Sequence, residues 1–193
     1  MSNNIRCFLA IKINGTLREL LKNILADFVT EFPNCVKWVP LENIHVTIKF
    51  IGNLDSTHLA ALQVDLSNAL TPQQVFQIES NQIGAFPHKK NPRIIWLGIR
   101  YPIQMKRVFS LAETILKEYG YPVETRTFRP HLTLGRVKKD ISSKDLLYIS
   151  SQLSTYKLNN VGSMIAKDLT LFKSTLTPNG PLYEELFQFG FAT

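Results

Sequence analysis

Cysteine is nearly missing: Cys7 and Cys35 are the only two in 193 residues. No paired framework surrounds them, which argues against a disulfide-built secreted scaffold. Cys7 sits in an apolar strand pattern and reads as a buried free thiol, a usage that fits a reducing cytoplasm. Charge is sparse as well, at 19% against 45% hydrophobic residues, so a substantial core is available. No apolar run is long enough to span a bilayer. The longest near the start, Cys7 to Ile11, is followed at once by Lys12 and reads as a strand, not as part of a secretory signal. No low-complexity stretch or flexible linker interrupts the chain, so residues 1–193 are read as one domain of two lobes.

Several chemical signatures are absent too. There is no Gly-x-Ser-x-Gly elbow and neither cysteine lies in a catalytic motif, so a serine or cysteine nucleophile lacks support. No P-loop or adenylylation-type lysine motif appears, which speaks against ATP-driven ligation. Zinc sites want three or more ligands, and no acidic cluster accompanies the histidines, so no metal and no cofactor is expected. What the chain does carry is a formal charge of +7 and a pI of about 9.5. That balance leans toward polyanionic partners such as RNA.

Hydrophobic periodicity gives alternating strands and helices. Arg6 to Ile13 reads as a strand, and Leu17, Leu20, Leu21, Ile24, Leu25 and Phe28 recur at helical spacing over about Thr16–Glu31. Asn43–Phe50 alternates in strand fashion, with Gly52-Asn53 expected to end it. Ser56 or Thr57 then caps a helix to about Leu70, and Val75–Ser80 is a strand. The second half repeats this order. It has a strand at 92–100, a helix at about 103–119 with Val108, Leu111, Ile115 and Leu116 inward, a strand at 128–135, a short helix at 142–153 and a strand at 168–173. Leu182–Phe191 reads as a final strand. Phe8 precedes His45 by 37 positions, and Ile95 precedes His131 by 36. A repeat of this size implies two similar α+β lobes with a groove between them.

The repeat aligns His45-Val-Thr47 with His131-Leu-Thr133. Side chains two apart on a strand share a face, so each histidine accompanies its threonine while Val46, Ile48, Leu132 and Leu134 pack the other side. Two imidazoles suit displacement at a phosphodiester, where one group takes a proton from water and another protonates the departing oxygen. Threonine hydroxyls can donate to the non-bridging oxygens. A single histidine on a strand is more often structural. With 14 threonines in the chain, however, two of four histidines acquire such a partner by chance in only about 3% of random arrangements.

The doubled His-x-Thr motif resembles the 2H phosphoesterases, and among them most closely the RNA 2′,3′-cyclic phosphodiesterase branch once called 2′-5′ RNA ligases. The similarity runs through RCFLAIKI, KWVPLENIHVTIKFIG (37–52), IGAFPHKKNPRIIWLG (83–98), FRPHLTLGRV (128–137) and LTLFKSTLTPNGPLYEEL (169–186). It implies an α+β, bilobal fold with two antiparallel sheets in pseudo-twofold arrangement around a central cleft, helices outside and no metal. It also implies His45 as proton donor and His131 as proton acceptor, acting on RNA with 2′,3′-cyclic phosphate ends to leave a 2′-phosphate. The residues alone do not tell donor from acceptor, because the halves are nearly symmetric. Weak, reversible ligation at the same site is a further implication.

Counting by two from His131 puts Arg129 on the His131 face, as a phosphate or ribose contact or a structural ion-pair partner. Arg136 falls on the opposite face unless the strand bends at Gly135. Lys49 continues the face of His45 and Thr47, where it either extends an anion site or ends in solvent. His88-Lys89-Lys90 with Arg93 forms a basic loop, either touching RNA backbone or simply solvated; Lys138 and Lys139 read the same way. Trp38 and Phe86 are stacking platforms or core residues, and His58 is surface or structural. The rival reading is an RNA-end or nucleotide binder without chemistry. A monomer is the default, since no extra interaction segment is visible.

Overall fold

Leu17, Leu21, Ile24, Leu25 and Phe28 line one stripe of an amphipathic helix, and all five are buried in α1 (Gly15–Glu31). Burying each such side chain contributes about 1.5–3 kcal/mol relative to exposure, so this stripe fixes the helix against the sheet. In the computed structural model, which describes residues 4–178 and 180–193, three more helices follow the same logic. They are α2 (Leu59–Leu70), α3 (Ile103–Glu118) and α4 (Ser143–Thr155). Ser142 caps α4 by accepting from the Asp145 N–H. The cap before α2 is Asp55, whose carboxylate accepts from Thr57 N–H and opens a short 3₁₀ turn at Ser56–His58; neither Ser56 nor Thr57 serves.

Among the described residues nine strands accompany them: β1 (Asn4–Lys12), β2 (Val36–Trp38), β3 (His45–Asp55), β4 (Phe76–His88), β5 (Asn91–Arg100), β6 (His131–Val137), β7 (Ser163–Ala166), β8 (Asp168–Thr177) and β9 (Gly180–Gly190). They run in the order β7-β4-β5-β6-β3-β1-β8-β9, with β2 added to β6, and every named pair is antiparallel. The two His-x-Thr strands stand side by side at the centre. One lobe carries β3, β1, β8 and β9; the other carries β6, β5, β4 and β7. Each half-chain thus sends its third long strand into the other half's lobe, β4 beside β5 and β8 beside β1. Among the described residues β3 and β6 pair at one position, Val46–Leu132, so the two antiparallel sheets are continuous at their seam.

Some boundaries differ from the periodicity. Gly52 does not end β3; with φ +84° it marks a bend opposite Cys7, and the strand continues to Asp55. β4 extends to His88, paired with β5 to that end, and the Trp96 ring lies over Gly84, where a Cβ would sit 2.1 Å from Trp96 Cη2. Cys7 is a buried free thiol. Leu111 and Ile115 are only half-buried on α3, and Glu113 takes an inward position instead. Among the described residues no helix is long and apolar enough to cross a membrane.

Candidate active site

The Val46–Leu132 bridge dictates the site. One step outward in antiparallel register puts His45 across from Thr133, and one step the other way puts Thr47 across from His131. All four side chains are half-buried, while Val46, Ile48, Leu132 and Leu134 pack the opposite face. Each imidazole is held by its own chain. His45 Nδ1 lies 2.8 Å from the Asn43 carbonyl, and His131 Nδ1 lies 2.8 Å from the Arg129 carbonyl. A carbonyl only accepts, so both Nδ1 atoms carry hydrogen and Nε2 is the unengaged nitrogen in each ring. Neither threonine hydroxyl has a hydrogen-bond partner among the described residues.

Aromatic walls surround both rings. Phe8 stacks on His45 at 4.7 Å, with Tyr183 edge-on at 5.4 Å and Phe172 at 6.2 Å. Phe86 meets His131 edge-on at 5.0 Å, and Trp96 lies at 6.2 Å. Desolvation by these walls disfavours the imidazolium. It pulls His45 down to about 4, against the raising effect of the Asn43 carbonyl and with help from His131. His131 is also lowered, first by burial and further by Arg136, although the Arg129 carbonyl opposes this. Both histidines therefore favour the neutral form at pH 7.

A β-bulge follows each motif at the same place. On β3 the register to β1 shifts between Thr47 and Lys49, and on β6 the register to β5 shifts between Thr133 and Gly135. The extra residue inverts the alternation downstream. Lys49 and Gly135 turn inward, and Phe50 and Arg136 turn outward to the cleft. Lys49 therefore does not extend an anion site: it is buried, 2.7 Å from Glu113 Oε1, and donates to the Pro122 carbonyl. Arg136 reaches the cleft face because the strand does bend at Gly135. The bend needs glycine there, since a Cβ would meet Val36 Cγ1 at 2.6 Å and Trp38 Cε3 at 2.7 Å.

A cavity of about 630 Å³ opens on these residues. His45, Thr47, Thr133 and Arg136 line it, along with Arg6, Phe8, Lys37, Trp38, Phe50 and Tyr183; His131 stands beside it, across from Thr47, and is not itself part of the lining. Arg129 is exposed, and its guanidinium is not part of that lining; what it brings to the site is its main-chain carbonyl. Trp38 lines the cavity and covers Gly135, whereas Phe86 packs on Trp96 and His131. His88 ends β4 and Lys89-Lys90 form the β4–β5 turn, Arg93 lies in β5, and Lys138 and Lys139 follow β6; none of them belongs to the cavity lining. His58 is structural, its Nδ1 bonded to the Tyr121 hydroxyl at 3.0 Å. Arg6, Phe8, Lys37 and Tyr183 were not readable as site residues, because no local pattern marks which strands become neighbours. Among the described residues no three His, Cys, Asp or Glu side chains are close enough to hold a metal.

The family model for LigT like Phosphoesterase matches residues 11–96 and 101–183. The chain belongs to the LigT-like phosphoesterase family. This LigT-like chain is 38% identical over 182 residues to the RNA 2′,3′-cyclic phosphodiesterase of Methanocaldococcus jannaschii, covering 93% of this chain and 97% of the relative. It is 31% identical to the one from Archaeoglobus fulgidus, covering 94% and 98%. In fold, the LigT-like chain matches the crystal structure of apo LigT from E. coli over the whole of both chains, with a TM-score of 0.75 at 20% identity.

Proposed function

We propose that this LigT-like phosphoesterase opens the 2′,3′-cyclic phosphate at an RNA end to a 2′-phosphomonoester, with His45 as proton donor and His131 as proton acceptor. The observation that carries the reading is the matched pair of Nδ1–H···O=C bonds, which leaves two Nε2 atoms free beside two unengaged threonine hydroxyls. The substrate comes from the names of the two archaeal relatives. His131 Nε2 takes a proton from water as its oxygen attacks phosphorus. The P–O3′ bond breaks, and His45 Nε2 protonates the departing 3′-oxygen. Thr47 and Thr133 donate to the non-bridging oxygens, and Arg136 offsets their charge; Arg129 acts through its carbonyl, which orients His131.

Burial among the aromatic walls keeps His45 neutral, so the donor must be charged by the substrate. A phosphodiester anion beside the imidazole stabilises its protonated form and raises its pKa. The reaction so written uses only side chains, and it proceeds in the presence of chelator. A 5′-hydroxyl in place of water would give a 2′–5′ linkage by the same proton transfers, which makes ligation weak and reversible. The exchange of strands between halves supports one domain of interleaved lobes spanning 1–193. The two free thiols fit a cytoplasmic setting, and the protein acts as a monomer.

The test is product-end mapping. A short RNA ending in a 2′,3′-cyclic phosphate, incubated with excess chelator, is expected to yield only 2′-phosphate ends. A 3′-phosphate product would reverse the assigned leaving oxygen, and no opening would leave a binder of RNA ends.

A further inference from the structure

Lys37 and Arg136 are direct cross-strand partners on β2 and β6, so their side chains project from the same face, and both line the cavity. Like charges directly opposite one another on a sheet are destabilising. Neither has an ion-pair partner among the described residues. A third cation, Arg6, stands on the opposite wall, its guanidinium 4.5 Å from the Phe50 ring centroid. Burial pushes the Tyr183 hydroxyl up, and Arg136 and Arg6 both oppose this, so one cavity side chain on β9 feels cations from both lobes. No carboxylate occurs among the described lining residues.

A cyclic phosphodiester carries one negative charge. Arg136, two threonine hydroxyls and a protonated histidine already exceed what that charge requires. The surplus cations, Lys37 and Arg6, need a second anion, and the cavity lined by His45, Thr47 and Thr133 extends to reach them. We propose that Lys37 and Arg6 form a second phosphate subsite, which holds the internucleotide phosphate upstream of the reacting end and makes the enzyme favour RNA chains over free cyclic mononucleotides. The inference rests on the hydrolase reading above and adds a length-selecting site to it. An anion shared between Lys37 and Arg136 also relieves the cross-strand repulsion, so binding and stability are coupled there.

The experiment compares a nucleoside 2′,3′-cyclic phosphate with a trinucleotide ending in the same group. The expected kcat/KM is at least tenfold higher for the trinucleotide. Its logarithm falls more steeply with log salt, since each added phosphate contact on a single strand contributes a slope of about −0.7. In Lys37→Met and in Arg6→Met the trinucleotide-to-mononucleotide ratio drops about tenfold, with the salt slope made shallower by up to about 0.7. Equal kcat/KM for the two substrates in the wild type, or a ratio that neither variant moves, overturns the proposal. Should neither substrate be opened, the hydrolase reading fails by itself, and equilibrium binding of the same two uncleaved molecules still decides the subsite. ATP is the control polyanion. If it competes with the trinucleotide at lower concentration than an uncapped trinucleotide does, the extra cations serve a polyphosphate and the proposal is wrong.

Discussion

Val46 and Leu132 are the one paired position between β3 and β6 among the described residues, and each is preceded by a histidine of the site. Two strands from opposite halves of the chain therefore present the same face in opposite directions. The outcome is a quartet in which each imidazole faces the other strand's threonine.

The division of labour between the histidines is separable by leaving group. A cyclic substrate whose 3′-oxygen is replaced by sulfur expels a thiolate, which departs without a proton because thiols are far more acidic than alcohols. His45→Ala is expected to lose at least 10²-fold in kcat on the oxygen substrate and to recover most of it on the sulfur substrate. His131→Ala should recover on neither. Recovery of His131→Ala in place of His45→Ala would exchange the roles.

The pH dependence of stability follows from His45. Its folded pKa of about 4 lies below the ordinary value of about 6.5. A depressed folded pKa means that the unfolded chain takes up the proton first, so the contribution is complete above pH 6.5. It is lost as pH falls toward 4. The loss is on the order of 2 kcal/mol, allowing for the ring's partial exposure to the cleft. Inorganic phosphate, which favours the imidazolium, should bind more tightly as pH drops from 7 to 5, with proton uptake measurable by calorimetry in buffers of different ionisation enthalpy. Proton release on binding would contradict the electrostatics.

Behind the β3 bulge lies the buried Lys49–Glu113 pair, whose carboxylate also accepts the Glu124 N–H. Lys49→Met strands that carboxylate and should destabilise the fold by about 3–5 kcal/mol in urea titration. Lys49→Met combined with Glu113→Leu should regain most of it, since the uncompensated charge is gone. A single variant within 1 kcal/mol of wild type, by the same yardstick, would mean the pair is solvated.

Behind the β6 bulge, Gly135 leaves room for Trp38 and Val36. Gly135→Ala should cost about 1–3 kcal/mol through overpacking and lower kcat/KM, because Arg136 loses its place on the cleft face. Arg136→Met should lower kcat/KM by about 10²-fold, the scale of losing one charge-stabilising group. Arg129→Met keeps the carbonyl that holds His131 and should lose less than threefold. The reverse order would return the phosphate contact to Arg129.

Element order, the helix stripes and the two motifs were legible because each depends on local periodicity. The alternation rule failed at two corresponding places, Lys49 and Arg136, for one reason. A bulge adds a residue without any change in composition, and counting by two then points to the wrong face. Gly135 before Arg136 was the sole local cue. β2 and β7 were too short to show a period, and the strand exchange that brings Tyr183 and Phe172 beside His45 is a property of pairing, which no single stretch records. The cations Arg6 and Lys37 belong to the same class: each lies near its motif in space, not in spacing.

The measurement closest to the central claim follows chelator-treated cyclic-phosphate RNA with wild type, His45→Ala and His131→Ala, each first checked for folding by thermal melting. The two-histidine account predicts rapid opening by wild type and a loss of at least 10²-fold in both variants, each of them folded. Opening that survives either substitution would contradict it.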